Sequence, residues 1–333
     1  MSITQRENLL RVYRREEPDY LPLLQDTQTI ITVGQGLLFS VKEAKWVGNT
    51  DEIDFFGQNW KFDPKTKAYN PDATNYIIKD VSNWRDYITV PDLDAIDWKA
   101  RFDAENLHLD RVNKVIVARD PIGLWERAFS VVHTEDLLSG LILEPEAMYD
   151  FFSTIADHKI KLHNYYFDYY KPDVLAFHDD YGAGQGLFMS PATWRELIKP
   201  HLQRVIDNVR SHGVMYEHHC CGYMVPLVDE IAGMGASSWN SVHYCNDPYE
   251  CKKKFGNKIA LVGGMLNTWF IDAPNTTEDQ IREHIRDMTS KLLPGYVVLS
   301  GLVIEHMERN QICIDELLKS GQQYYKENRP ESL

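Results

Sequence analysis

The chain has 333 residues, of which 44% are hydrophobic and 25% are charged. This composition is typical of a globular protein with a large buried core, and the length fits one large α/β barrel or two ordinary domains. The 35 Lys and Arg residues against 49 Asp and Glu residues give a formal net charge of −14, which argues against binding to nucleic acids or membrane surfaces. Five cysteines in a chain of this length do not indicate a secreted disulfide scaffold, so we expect a cytoplasmic protein with reduced thiols.

Strand-like apolar runs alternate with helical patterns along the chain. Eight runs are candidate strands, at residues 20–24, 56–62, 114–118, 173–177, 214–217, 237–242, 258–262 and 296–299. Helical spacing predicts one helix from Ser190 to Val209, another over 223–234, one that begins with a capping box at Thr277 and Gln280, and a last one over roughly 311–327. Eight such units predict an α/β fold, a single-domain (β/α)8 TIM barrel over residues 1–333. An open doubly wound sheet is the alternative, but no Gly-x-Gly-x-x-Gly turn follows a strand.

Residues 60–110 lack clean periodicity and are rich in aromatic side chains. Prolines interrupt the series Trp60, Tyr69, Tyr76, Trp84, Tyr87 and Trp98. We interpret this stretch as an irregular insertion near the active-site face, ordered by aromatic packing. Some of the rings are candidates for the wall of an apolar pocket, although core packing is the simpler role for most of them.

Polar residues follow several of the candidate strands, where barrel enzymes carry their reactive groups. Asp26 follows the first strand, and His178, Asp179, Asp180 and Tyr181 follow the strand that ends at Phe177. Asn240 and His243 lie at the end of the 237–242 strand. We predict that Asp26, Tyr181, Asn240 and His243 bind substrate.

The sequence His218-His219-Cys220-Cys221 ends another strand. Imidazole and thiolate are the usual protein ligands of zinc, and His219 and Cys221 would lie on the same side of an extended segment. We therefore predict that these two residues bind one metal ion. The alternative is that the cysteines are small buried residues beside a hydrogen-bonded histidine.

The cluster His178-Asp179-Asp180 is the candidate catalytic acid. Two carboxyl groups and an imidazole at a strand end can share a proton or orient a substrate. Helix capping or an ion pair is the alternative function for these carboxylates.

Several segments together resemble the uroporphyrinogen decarboxylase superfamily. The best of them run from His178 to Pro200 and on through His219-Cys-Cys-Gly222 to Gly263-Gly264. The amino-terminal segments 6–11 and 17–22, and the segments 54–57 and 84–87, fit as well. The resemblance covers nearly the whole chain and implies a (β/α)8 barrel.

This superfamily contains two chemistries. Its decarboxylases carry an arginine-rich segment after the first strand, where this chain reads Leu23-Leu-Gln-Asp-Thr-Gln28 without an arginine. The other branch consists of corrinoid-dependent methyltransferases, whose zinc is bound by His-x-Cys and a second, distant Cys. His219 and Cys221 match the first pair, while the region of the distant Cys holds Glu305. Either the third ligand is Glu305 or another oxygen or nitrogen donor, or the site has lost its metal.

The resemblance favours a methyltransferase that moves a methyl group from a methoxylated aromatic compound to the cob(I)alamin of a separate corrinoid protein. No Asp-x-His-x-x-Gly cobalamin motif occurs, so the partner must supply the corrinoid. Two alternatives remain, namely a decarboxylase of a smaller carboxylate substrate and a non-catalytic binding barrel. The sequence also leaves a homodimer open.

Overall fold

The computed structural model describes residues 3–24, 28–31, 51–65, 68–105, 107–300 and 308–328. Its central element is a sheet of seven parallel strands in the order β1-β5-β6-β9-β10-β11-β12. The seven strands are β1 (Gln28–Ile31), β5 (Val115–Asp120), β6 (Val174–His178), β9 (Met215–His219), β10 (Ser238–Asn240), β11 (Ala260–Val262) and β12 (Val297–Val298). At the far edge, Leu23 forms an isolated parallel bridge with Leu299, next to β12. The sheet is thus curled, and this α/β fold is compatible with a TIM barrel.

Helices precede the sheet or connect its strands, and most of them pack on its outer face. In chain order they are α1 (Gln5–Arg14), α2 (Trp98–Glu105), α3 (Leu124–Val131), α4 (Thr134–Leu143), α5 (Pro145–Tyr170), α6 (Pro191–Leu197), α7 (Lys199–Ser211), α8 (Val228–Gly233), α9 (Pro248–Phe255), α10 (Thr268–Ile271), α11 (Glu278–Leu292) and α12 (Arg309–Asn328). The capping box of Thr277 and Gln280 is present at the start of α11. Among the described helices, none combines the length and the apolar character that crossing a membrane requires.

Successive residues of each strand face opposite sides of the sheet. Ile116, Leu175 and Phe177 pack outward against the helices. Val115, Val117, Val174, Ala176, Ala260, Val262 and Val298 form a separate inner cluster with Leu9, Leu10, Val12 and Tyr13 of α1. Helix α1 therefore packs across one end of the curled sheet, and its apolar face closes the interior there.

The aromatic-rich region contains more regular structure than its sequence suggests. Strands β2 (Glu52–Ile53), β3 (Asn59–Asp63) and β4 (Ala68–Pro71) form a separate antiparallel sheet. The predicted barrel strand at 56–62 is therefore wrong, because β3 pairs with β2 and β4. Trp84 contacts Phe151 of α5 edge-on and Trp98 stacks on Tyr165 of the same helix, so this region packs largely along α5.

Two predicted helices are also interrupted. The segment that Ser190 caps ends as α6 at Leu197, and α7 begins at Lys199, because Pro200 has no N–H to continue the first helix. The segment 223–234 begins with a short 3-10 helix, Val225–Leu227, before α8. All five cysteines are free thiols.

Candidate functional site

The candidate site is built at the carboxyl ends of β6, β9 and β10. His178 pairs in register with His219, and His219 pairs with Asn240. Alternation places these three side chains on the inner face of the sheet, because Ala176, two residues before His178, belongs to the inner cluster. The rings of His178 and His219 stack with their centroids 3.8 Å apart. Burial lowers the pKa of His219 to about 4, so its imidazole is neutral and can act as a ligand.

His219, Cys221 and Asp180 converge beside this stack, and we call these three residues the ligand triad. Nε2 of His219 lies 3.0 Å from Sγ of Cys221, and Oδ1 of Asp180 accepts the backbone N–H of Cys221 at 2.8 Å. One ligand atom from each of the three residues lies within 4.8 Å of the other two. Desolvation, with the nearby carboxylates of Asp180 and Glu126, raises the pKa of Cys221 to about 12, so without a cation this thiol stays protonated. A bound metal ion would reverse that preference.

Two close glycine contacts set the relative position of the loops that carry the triad. A Cβ on Gly222 would lie 1.7 Å from the carbonyl oxygen of Gly182, and a Cβ on Gly182 would lie 2.2 Å from the carbonyl oxygen of Tyr223. The Tyr223 N–H donates to the carbonyl of Ala183 at 2.9 Å. The absence of side chains at these glycines lets the loop after β6 lie directly against the loop after β9.

Asp179 faces away from the triad. Its side chain is fully buried, and its oxygens accept the backbone N–H of Glu126 at 2.9 Å and the hydroxyl of Tyr181 at 2.8 Å. Burial raises the pKa of Asp179 to about 7. Asp179 therefore anchors the start of α3, and Tyr181, also fully buried, packs behind it rather than against the cavity.

A cavity of about 570 Å³ opens beside the ligand triad. Its lining includes the predicted residues His219, Cys221, Asn240 and His243. The other described residues of the wall are Leu24, Gln28, Ile30, Arg119, Ser241, Gly263, Gly264, Leu266, Thr268 and Ser300. A cavity of this size suits a small organic ligand. None of the six aromatic residues noted between positions 60 and 98 is among these wall residues.

A buried carboxylate lies on the inner face of the sheet beneath Asn240. Glu217 accepts hydrogen bonds from Tyr13, Ser238 and Asn240 at 2.8, 2.9 and 2.8 Å. Burial raises the pKa of Glu217. This network fixes the orientation of the Asn240 amide at the cavity wall.

Sequence reasoning missed two residues of the site. Arg119 lines the cavity, and it follows Val115 and Val117 at the two-residue spacing of inward-facing positions. Glu126 lies in the first turn of α3, and burial, together with Asp180 and Asp179, raises its pKa to about 8. Two predicted residues, Asp26 and the candidate third ligand Glu305, lie outside the described residues. Among the described residues, Asp180 is the third group that lies close enough to bind the same ion as His219 and Cys221.

Comparison with known proteins places these features in context. A family model described as Uroporphyrinogen decarboxylase (URO-D) matches residues 53–305. Among solved structures, the chain is similar to a methyltransferase from Methanosarcina mazei, with 16% identity and a TM-score of 0.67, covering 97% of this chain and 100% of that one. At this identity the similarity shows a shared fold. A search of curated protein sequences gives no match.

Proposed function

This chain belongs to the uroporphyrinogen decarboxylase family, and from that membership we propose that it is a methyltransferase of the corrinoid-dependent kind. It would move a methyl group from a methoxylated aromatic compound to the cob(I)alamin of a separate corrinoid protein. The observation that carries this proposal is the convergence of Asp180, His219 and Cys221 beside a cavity large enough for an aromatic ring. The fold shared with a methyltransferase of 16% identity is compatible with it.

The difficult part of this reaction is departure of the phenolate. Cob(I)alamin is a strong nucleophile, but the leaving phenolate has a conjugate acid with a pKa of about 10, by analogy with tyrosine. A Lewis acid or a proton donor at the ether oxygen would lower that barrier. The cavity must therefore hold a Lewis acid or a proton donor beside the ether oxygen of the substrate.

The ligand triad has the chemistry of a zinc site. Nitrogen, sulfur and carboxylate oxygen are the donors that zinc takes, and three protein ligands leave one position open for catalysis. His219, Cys221 and Asp180 would hold the ion, and bound zinc would polarise the ether oxygen as a Lewis acid.

The side chains around the triad hold and orient its members. Oδ1 of Asp180 accepts the Cys221 N–H, which leaves Oδ2 for a ligand bond or for a proton. Burial raises the pKa of Asp180, so its carboxyl group can hold that proton at higher pH than an exposed aspartate. Of the three residues predicted as catalytic, we therefore assign the reacting position to Asp180. His178 positions His219 by stacking, and Asp179 positions the loop through α3.

The methyl acceptor must reach the cavity from outside. The cavity lies at the carboxyl ends of the strands, whereas α1 closes the other end of the sheet. The corrinoid partner would therefore dock over the loops at these ends. Trp269 lies there beside His243 and is 71% exposed, so it is a candidate contact for that partner.

The direct test is methyl transfer in solution. Purified protein is incubated with reduced cobalamin and a panel of methoxylated aromatic compounds, and formation of methylcobalamin is followed by its absorbance. We expect Cys221→Ser to reduce both bound zinc and the transfer rate at least tenfold, because an alcohol is a poor zinc ligand. The matched control is Cys245→Ser, a partly buried thiol outside the triad, which should keep both. Wild-type protein that binds no metal, or that transfers no methyl group from any member of the panel, would contradict the proposal.

A decarboxylase of a smaller carboxylate is the second candidate. The observation in its favour is the guanidinium of Arg119 in the cavity, which suits an acidic substrate. Release of CO2 from such a substrate without any corrinoid would support this candidate over methyl transfer.

A further inference from the structure

Arg119 is a cation in the wall of the cavity. It lies on β5, one residue before the end of the strand, and is partly buried. Of the described wall residues, it alone carries a formal charge.

Arg119 has no anionic partner within the described chain. Its guanidinium forms no ion pair or hydrogen bond with any described residue. Glu217 is close enough for its charge to act on Arg119, yet both Glu217 oxygens already accept hydrogen bonds from three neutral donors. Among the described residues this partly buried charge has no partner, and because such a charge is costly, its presence in a cavity points to a ligand that completes the pair.

We infer that Arg119 binds a carboxylate of the substrate, and that the methyl donor is therefore a methoxylated aromatic acid rather than a neutral ether. The second half of this inference rests on the function proposed above. The planar guanidinium donates two parallel hydrogen bonds to the two carboxylate oxygens, a geometry that lysine does not match. The uncharged amide of Asn240 and the apolar side chains of Leu24 and Leu266 complete a wall suited to an aromatic ring that carries one anionic group.

A binding experiment tests the Arg119 assignment independently of methyl transfer. Benzoate and benzamide have the same shape and differ in charge, and their affinities for the full-length protein are measured by calorimetry at fixed salt. We expect benzoate to bind roughly 10- to 100-fold more tightly, the range for a hydrogen-bonded charge pair. Equal affinities, or no binding of benzoate at millimolar concentration, would overturn the inference without the need for any variant.

Variants then test whether Arg119 causes the preference for benzoate over benzamide. Arg119→Met keeps the length of the side chain and should remove most of the preference for benzoate, while Arg119→Lys should keep part of it. The matched control is Lys319→Met, which removes one positive charge from an exposed position on α12 and should leave the preference unchanged. If Lys319→Met reduced the preference as much as Arg119→Met, the effect would be long-range and the assignment of Arg119 would be wrong.

Turnover separates the two proposals. In the methylcobalamin assay, 4-methoxybenzoate should be preferred over 4-methoxybenzamide, and the ratio of their rates should be similar to the ratio of the benzoate and benzamide affinities. Equal transfer from both compounds would contradict the proposal that the substrate is an aromatic acid, but it would still support methyltransferase activity. Benzoate binding that depends on Arg119, without transfer from either compound, would keep the carboxylate site and reject the methyltransferase.

Discussion

The contact between Gly222 and Gly182 allows a sharp test of how the ligand triad is held in place. We consider the variant Gly222→Ala, which adds a single methyl group to the loop after β9. That methyl carbon would lie 1.7 Å from the carbonyl oxygen of Gly182, and real Cβ atoms are essentially never closer than 3.0 Å to such an atom. The three atoms nearest to this methyl carbon are all backbone atoms of Gly182 and Ala183, so the two loops must separate by more than 1 Å.

This separation acts directly on the triad. Cys221 precedes Gly222 and Asp180 lies two residues before Gly182, so moving the loops apart pulls the thiol away from the carboxylate. A displacement of about 1 Å at a reacting centre can cost roughly 100-fold in rate. Overpacking of this kind typically also costs about 1–3 kcal/mol of stability.

The assay compares methyl transfer, zinc content and urea unfolding for Gly222→Ala and for Gly184→Ala. Gly184 lies in the hairpin between β7 (Gly182–Ala183) and β8 (Gly186–Leu187), and a Cβ there would meet no atom within 4 Å. We expect Gly184→Ala to behave as wild type and Gly222→Ala to lose most of its activity and zinc. If Gly222→Ala folds and keeps kcat/KM within about threefold of wild type, the glycine contact does not set the triad geometry.

Two further predictions concern stability. Arg127 and Asp54 form a buried ion pair, and Asp54 also accepts the Trp60 indole N–H at 3.0 Å. Arg127→Met should therefore lower the free energy of unfolding by about 3–5 kcal/mol in urea titrations, and a loss below about 1 kcal/mol would contradict a stabilising role for this pair. Burial lowers the pKa of His158 from 6.5 to about 3, so the unfolded chain binds a proton that the folded protein does not until about pH 3. The free energy of unfolding should therefore fall as the pH drops from 6.5 to about 3, by about 1.4 kcal/mol per pH unit for this residue. His158→Gln should remove that contribution to the pH dependence. If the pH dependence were unchanged in this variant, other groups would be its cause.

The fold followed from the sequence where hydrophobic runs were buried on both faces. Such runs predicted β5, β6 and β9 to within a residue or two. Strand β1 was missed because Gln28 and Thr29 give it no apolar run. The pattern at 56–62 did identify part of a strand, but periodicity does not say which sheet a strand joins. Only the pairing partners in space place β3 in the antiparallel sheet.

The site was predictable in outline and not in detail. The sequence placed His178 and His219 each at the end of a strand, and the register of the neighbouring parallel strands brings the two side by side. The turn after β6 sends the two neighbouring carboxylates in different directions. Asp179 accepts a backbone N–H at the start of α3, whereas Asp180 accepts the backbone N–H of Cys221. The two-residue spacing of Arg119 from Val117 indicates an inward-facing side chain. The residue was nevertheless missed, because it lies just after the apolar run 114–118 from which the strand was predicted.

Under the proposed function, the packing of α1 across the interior would have a kinetic consequence. Because Leu9, Leu10, Val12 and Tyr13 fill that end of the sheet, the described residues place the entrance of the cavity at the carboxyl ends of the strands. A corrinoid protein docked over this entrance would stand between the cavity and bulk solvent. The methyl donor would then have to bind first, and the demethylated product would leave only after the partner dissociated. Turnover would follow a compulsory order, and a large excess of the partner would slow the reaction by trapping product and by blocking empty enzyme.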